Sequence, residues 1–359
     1  MVRHRTRWLL PLLAVSLLAG LAGGLLRAGV AVAPSSAAWP GQAALVHAAL
    51  MICAFMGSLI GIERAVAVKH GAAWLAPLAS GLAGPALVLG WDAPARWLLL
   101  AAALVFTGVN VLVLLRQRAA HTALLLASAL AWLAGNALFA LRADTGAVLP
   151  WWFAFLVMTI AAERLEMTRL KRRRPGAQPL LVLLLVALAA GAALSAAWPR
   201  GGGVLYGLAL LLLALWLFVF DIARRTVHAD GLPRYMAVCL LGGYAWLALG
   251  GVAWAATALG LPARDAALHA LGLGFIVSMM MGHAPVILPA IAGVKLLFGR
   301  AFYLPLAVLH LSLAWRLAGS QAQGAIFNAG ALALFAATVA AATLAWRRRH
   351  DAALPRVPT

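Results

Sequence analysis

Histidines that lie inside apolar stretches of the chain are the first candidates for chemistry. Polar side chains are costly in a lipid-embedded segment, so each one is a candidate functional residue. A neutral imidazole is a common ligand for haem iron and for copper, and a methionine thioether suits Cu(I). Four histidines have this setting: His47, His269, His283 and His310. Two of them, His269 and His283, lie within the stretch "LHALGLGFIVSMMMGHAPVILP".

His47 and His269 are predicted to lie at the same depth. Both follow the start of a long apolar stretch, and at 1.5 Å per residue each lies roughly 6–8 Å below the outer boundary if both helices enter from outside. Two imidazoles at one level on different helices can hold a planar haem between them, with Gly272 leaving room beside the ring. The spacing therefore predicts a b-type haem bound by His47 and His269.

His283 and His310 point to a second, deeper level. In an α-helix, the interval from His269 to His283 returns to within about 40° of the same face and descends roughly 20 Å. His310 lies near the middle of a later apolar stretch. With the thioethers of Met280 and Met51, these two imidazoles are candidate ligands for a second metal, copper being the candidate ion.

Simpler structural roles compete with each of these assignments. A single intramembrane histidine often only makes a packing hydrogen bond, and methionines 279–281 fill a core as readily as they bind a metal. Cys53 and Cys239 are predicted to be small packing residues. Glu63-Arg64 and Glu163-Arg164 are predicted to be interfacial ion pairs that end their helices, in preference to a proton path.

The elements that must position these residues follow from composition. Of the 359 residues, 65% are hydrophobic and 10% charged, and the mean hydropathy is +0.97. Soluble domains have about 45–50% apolar and about 25% charged residues, so the sequence predicts an integral membrane protein. A bilayer core of about 30 Å needs about 20 apolar residues per helix. Twelve such windows occur, at approximately 8–30, 42–62, 72–91, 95–115, 120–141, 146–164, 178–197, 203–222, 235–258, 266–290, 301–318 and 326–346.

The basic residues give the predicted orientation. With both termini in the cytoplasm, most of the 28 Lys and Arg residues fall on the inner side, as the positive-inside rule requires. The net charge of +19 then reflects topology and anionic lipid, and it does not indicate a nucleic-acid partner. The N-terminal apolar run exceeds that of a signal peptide, so we expect a retained first helix.

The predicted fold is all-α, a polytopic bundle of about twelve transmembrane helices that form a single domain over residues 1–359. It divides into halves 1–166 and 178–359, joined by a basic cytoplasmic connection at 167–177. A weak echo between residues 56–69 and 158–171, each running into Glu-Arg, suggests an internal repeat. The predicted location is the bacterial inner membrane.

Two stretches resemble the NnrS family of polytopic membrane proteins. They are "LVHAALMICAFMGSLIG" at 45–61 and "HALGLGFIVSMMMGHAPVILP" at 269–289. The resemblance is to a divergent member or a neighbouring family, because the second stretch ends in Gly-His-Ala-Pro where the family has Gly-His-Thr-Gly. It implies haem, with copper as a second cofactor, and a role in nitric oxide metabolism or nitrosative stress in denitrifying bacteria. It also implies His47, His269 and His283 as metal ligands, whereas His310 comes from depth alone.

Two other classes of function stay open. A secondary transporter of a small molecule fits twelve helices with both ends inside, although the second connection "GIERAVAVKHG" lacks the major facilitator pattern. A relative of the haem-copper oxidase subunits fits the histidines, although the adjacent histidine pair that binds copper in those enzymes is absent. Apart from lipid, haem and a small gas such as nitric oxide, the sequence indicates no partner.

Overall fold

Long apolar segments become helices in a bilayer because a helix satisfies its own backbone hydrogen bonds. The computed structural model of the chain describes residues 2–32, 38–167 and 176–353, and in these ranges all regular structure is helical. The all-α prediction is confirmed. Most of the predicted basic connection 167–177, namely residues 168–175, lies outside the described residues.

The α-helices are numbered in chain order, and two π-helical segments interrupt them. The α-helices are α1 (Val2–Arg27), α2 (Trp39–Leu45), α3 (Ser58–Val68), α4 (Leu75–Val88), α5 (Asp92–Arg116), α6 (Ala120–Ala140), α7 (Thr145–Met167), α8 (Ala177–Ala197), α9 (Pro199–Phe220), α10 (Ala223–Thr226), α11 (Leu232–Ala258), α12 (Arg264–His269), α13 (Ser278–Ala292), α14 (Tyr303–Leu317) and α15 (Gln321–Ala353). The π-helices are π1 (Ala49–Gly57), between α2 and α3, and π2 (Ala270–Val277), between α12 and α13. Single 3₁₀ turns precede α4 and α14.

Eleven of the helical segments in the described part of the chain are long and apolar enough to cross a membrane. The exception among the twelve predicted spans is the window 301–318. Its helix α14 has 15 residues, which give about 22 Å at 1.5 Å per residue, less than a hydrocarbon core of about 30 Å. It ends before Gly319, which has a φ of 115° that side chains other than glycine rarely adopt.

The helices are arranged around α7. From α7, one series of neighbours runs through α6, α5 and α4 to π1 and α3, and the other runs through α8, α9 and α11 to α12, π2 and α13. Helix α7 itself contacts both π-helices, and 83% of its most apolar window is buried, the highest share among the eleven spans. On the other side, α1 packs against π1, α13 and α15. The two histidine-bearing segments therefore face the interior of the bundle from opposite series.

Two close approaches depend on glycine. A side chain at Gly57 would meet the Trp132 ring at 2.5 Å, and one at Gly61 would meet Pro77 of α4 at 3.2 Å. This glycine pair is the small-residue motif that lets helices pack closely in membranes. Cys53 and Cys239 are both buried free thiols, as their predicted packing role requires.

Candidate functional site

A cavity of about 470 Å³ lies at one end of the bundle, between α1, π1, α7, π2 and α15. We call this end the arginine end, because Arg27, Arg264 and Arg316 line the cavity there. The predicted orientation puts it on the outer side. The walls are mainly apolar, and both His47 and His269 line them. The structure thus brings together the two histidines for which the sequence predicts equal depth.

His47 is held by helix α1. Its Nδ1 lies 2.7 Å from the backbone oxygen of Gly20, and because a carbonyl only accepts, Nδ1 donates the hydrogen. No described residue hydrogen-bonds to the Nε2 atom, which keeps its lone pair. A side chain at Gly24 would come within 2.9 Å of the imidazole Cε1, so only glycine leaves room for the ring here.

His269 has the equivalent arrangement, supplied from its own helix. Its Nδ1 lies 3.0 Å from the backbone oxygen and 3.0 Å from Oδ1 of Asp265, one turn earlier in α12. Both partners are acceptors, so Nδ1 carries the hydrogen, and within the described residues Nε2 has no hydrogen-bond partner. A hydrogen bond of this kind on the second ring nitrogen is typical of metal-ligating histidines, because it fixes the tautomer and the ring orientation.

A π-helix begins within two residues of each histidine. The segment π1 starts at Ala49, two residues after His47, and π2 starts at Ala270, directly after His269. π-Helical turns are rare and occur mainly at functional sites. Gly272 of π2 lines the cavity, and a Cβ added there would meet no atom within 4 Å, so this wall is open space.

The arginine end has an excess of positive charge. The Arg316 guanidinium donates to both oxygens of Asp265, at 2.8 and 3.0 Å. Arg27 and Arg264 donate to neutral groups, the Ala44 backbone oxygen at 3.4 Å and the Thr145 hydroxyl at 3.2 Å. Among the described residues neither has an ion-pair partner. Two positive charges therefore lie uncompensated beside an apolar cavity.

The remaining candidate ligands are not grouped with this pair. Met51 lines the cavity, but Met280 packs in the neighbouring hydrophobic cores. His283 lies outside the cavity walls, near Glu63 at the opposite end of the bundle. The sequence argument placed His283 on the face of His269 by assuming an α-helix. Over Ala270–Val277 the chain instead forms a π-helix, which has a wider turn and therefore rotates less per residue than an α-helix. The α-helical angle does not apply to this interval.

His310 has protein partners at both ring nitrogens. The indole Nε1 of Trp246 donates to Nδ1 at 2.6 Å, and Nε2 lies 3.5 Å from the Ser278 hydroxyl. Because Nδ1 accepts a hydrogen bond, Nε2 carries the hydrogen, and neither nitrogen offers a lone pair to a metal. Across the described ranges, no group of three or more His, Cys, Asp or Glu side chains is placed to hold a metal ion.

Charged side chains cluster at the opposite end of the bundle, which we call the ion-pair end. The predicted Glu63-Arg64 pair is confirmed, with Nη2 of Arg64 3.1 Å from Oε1 of Glu63. The same Nη2 also lies 3.7 Å from Oε1 of Glu163 on α7. Arg164 attracts its neighbour Glu163 electrostatically, but its direct contact in the described structure is with another carboxylate.

Arg164 pairs instead with Asp221, at the end of α9. The two side chains form a bidentate contact at 2.6 and 2.8 Å, and their exposed fractions are 4% and 1%. Tyr244 also donates to the Asp221 carboxylate. The helix order brings Asp221 close to α7 across the bundle, a contact that no local sequence pattern predicts.

Sequence reasoning missed several residues of the cavity. One signal was available: Asp265 precedes His269 by four residues, and this spacing puts the two on one helix face. Arg27, Arg264 and Arg316 come from three separate helix ends, and sequence reasoning treated them only as topology signals. Their grouping requires the tertiary structure.

Comparison with known proteins gives one match. The model of a family described as a domain of unknown function (DUF8744) matches residues 5–346, so the chain belongs to this family. No curated protein and no solved structure matches the chain.

Proposed function

We propose that this membrane protein binds haem, with His47 and His269 as the two iron ligands. The observation that supports this most directly is the shared geometry of the pair. Two imidazoles from distant parts of the chain line one cavity, each with Nδ1 bound to a protein oxygen and each with a free lone pair on Nε2.

The number of ligands favours haem over a bare metal ion. Protein sites for zinc need three or four side-chain ligands, and the described residues provide no such group. Haem iron takes four of its ligands from the porphyrin and needs at most two from the protein. A histidine pair on two helices is therefore sufficient for haem and too small a ligand set for a zinc site.

The cavity also suits the rest of the cofactor. A volume of about 470 Å³ lies within the roughly 300–1,000 Å³ typical of small-molecule and cofactor sites. The apolar walls suit a macrocycle, and the open space beside Gly272 admits its edge. Arg27 and Arg264 would pair with the two propionate groups, because guanidinium groups bind carboxylates by charge-assisted hydrogen bonds.

Bound haem would supply one-electron redox chemistry, or a site for a small gas such as nitric oxide. Haem held by both His47 and His269 would favour electron transfer over gas binding. The nitric oxide role in a bacterial inner membrane is proposed on the NnrS resemblance alone. Copper at His283, His310, Met280 and Met51 is not part of this proposal.

An optical spectrum of the protein, purified in detergent after haem-supplemented expression, tests the proposal. We expect a Soret band with the form of a six-coordinate haem, lost or converted to a five-coordinate form in His47→Ala and in His269→Ala. His310→Ala is the matched control, because this histidine has protein partners at both nitrogens, and it should leave the spectrum unchanged. A colourless wild-type protein without iron would overturn the proposal, as would an unchanged spectrum in both cavity variants.

The same cavity also fits a second candidate function, the transport of an amphipathic organic anion. The supporting observation is the pair of uncompensated arginines beside apolar walls. Iron-free protein in vesicles that takes up an organic anion, and loses this uptake in Arg264→Gln, would favour the transporter. A Soret band that depends on both histidines would favour haem.

A further inference from the structure

Three helices bring titratable side chains together at the ion-pair end, outside the walls of the cavity. Glu63 lies on α3, Glu163 on α7 and His283 on α13, and α13 packs directly against α3. The contact between Arg64 and Glu163 joins α3 to α7. None of these three residues has a part in the proposed haem site.

Among the described side chains that are in direct contact here, two carboxylates share one cation. Glu63 and Glu163 share the single guanidinium of Arg64, at 3.1 and 3.7 Å. Arg164 is paired with Asp221, which accepts hydrogen bonds from its guanidinium through both carboxylate oxygens. Asp221 also accepts a hydrogen bond from the Tyr244 hydroxyl. Within the described residues, one carboxylate therefore has no cation of its own.

Glu166 adds to this imbalance. It is exposed at the end of α7, and its charge acts on both Glu63 and Glu163. The two shared carboxylates are themselves partly buried, with side-chain exposed fractions of 28% and 21%. Two partly buried carboxylates that share one cation cannot both stay ionised cheaply, because like charges disfavour each other's ionised form.

His283 provides a proton acceptor in the same place. Its Nδ1 donates to the Met279 backbone oxygen at 2.8 Å, so the lone pair is on Nε2. This Nε2 is buried and has no partner among the described residues, and the whole residue is only 8% exposed. The charges of Glu63 and of the Arg164–Asp221 pair act on the imidazole. Buried polar atoms without a partner are rare in proteins, and this one requires a hydrogen that the resting groups do not supply.

We propose that Glu63, Glu163 and His283 form a proton-binding site that takes up one proton from water at the ion-pair end. The proton binds to a carboxylate oxygen and removes the uncompensated negative charge. The resulting carboxyl O–H then donates to the other carboxylate or, after rotation of the side chains, to Nε2 of His283. The site is independent of the haem proposal, because it lies at the other end of the bundle and uses none of its residues.

Infrared difference spectra of the full-length protein, recorded across a pH titration, test this site. Ordinary Asp and Glu side chains have pKa values of about 3.9 and 4.3 and are ionised at neutral pH. We expect the wild type to show the C=O stretch of a protonated carboxylic acid at pH 7 and to lose it at alkaline pH. Glu63→Gln and Glu163→Gln should each lose this titrating band.

Glu166→Gln, on the same helix, removes an exposed charge that acts on both carboxylates without removing a proton-binding oxygen, so the band should remain and disappear at a lower pH than in the wild type. His283→Ala should keep the band at a shifted frequency, since the O–H loses an acceptor. If a Gln variant does not fold, Glu163→Asp retains a carboxyl group and should show a shifted band. Absence of the band in the wild type would overturn the proposal, as would its survival in both Gln variants, whether or not the protein contains haem.

Discussion

Oδ1 of Asp265 lies 3.0 Å from Nδ1 of His269, one helical turn further along α12. The same carboxylate accepts both hydrogen bonds from the Arg316 guanidinium, at 2.8 and 3.0 Å. The imidazole is thereby fixed in one tautomer and one orientation, and its position is tied to α14. In the proposed haem site, Asp265 is a positioning residue that acts through His269.

Asp265→Asn tests this relationship. The amide keeps the shape of the side chain but removes the negative charge that orients His269 and increases its basicity. Loss of such a partner typically lowers metal affinity by about 10–100-fold, so we expect haem to be retained with lower affinity and a raised reduction potential. Haem titration and a redox titration measure the two effects. Asp230→Asn, a change at an exposed loop residue, should alter neither.

Gly272→Leu should block ligand binding without unfolding the protein. A Cβ at this position meets no atom within 4 Å, so a leucine side chain would extend into the cavity and occupy the volume that a ligand needs. Haem content after purification, together with the melting temperature, checks this outcome. Gly108→Leu is the control, because Gly108 also has no neighbouring atom but is exposed on α5. Equal haem content in both variants would contradict this prediction.

Arg27→Gln and Arg264→Gln should each weaken haem binding, because each removes a guanidinium group that is proposed to bind a carboxylate of the haem. Because each arginine has only neutral partners in the described structure, we expect each variant to lower the affinity for haem and to leave the affinity for haem dimethyl ester unchanged. Loss of a charge-assisted hydrogen bond costs about 1.5–3 kcal/mol, or about 10–150-fold in affinity. Arg200→Gln, at an exposed position in the first turn of α9, should have no effect on either ligand. A uniform loss with both ligands would indicate a structural defect instead.

Asp221→Asn should destabilise the protein strongly. It leaves the buried Arg164 guanidinium without its counter-charge, and breaking a buried ion pair costs about 3–5 kcal/mol. Denaturant titration in detergent, followed by tryptophan fluorescence, should show this loss of stability. The double variant Arg164→Gln/Asp221→Asn removes both charges and should recover part of it. A small effect of about 0.5 kcal/mol, as at an exposed site, would contradict the role of this pair.

Local sequence patterns predicted the helices well and their interruptions poorly. Eleven of the twelve windows correspond to spans of sufficient length, because hydrocarbon thickness sets a length requirement that can be read from consecutive residues. Windows 42–62 and 266–290 each contain a π-helix that composition does not reveal. The expected face of His283 assumed an uninterrupted α-helix, and π2 interrupts it.

The sequence by itself determined the class of protein and the helical fold, because both depend on composition and on the length of apolar stretches. It also predicted one level for His47 and His269, which line one cavity. Only the tertiary structure decided which side chains meet. In the folded chain, three arginines from separate helix ends line one cavity, and Arg164 is paired with Asp221. The two ring nitrogens of His310 are hydrogen-bonded to Trp246 and Ser278. Such contacts depend on how helices are ordered and rotated around α7, and these depend on packing between segments distant in the chain.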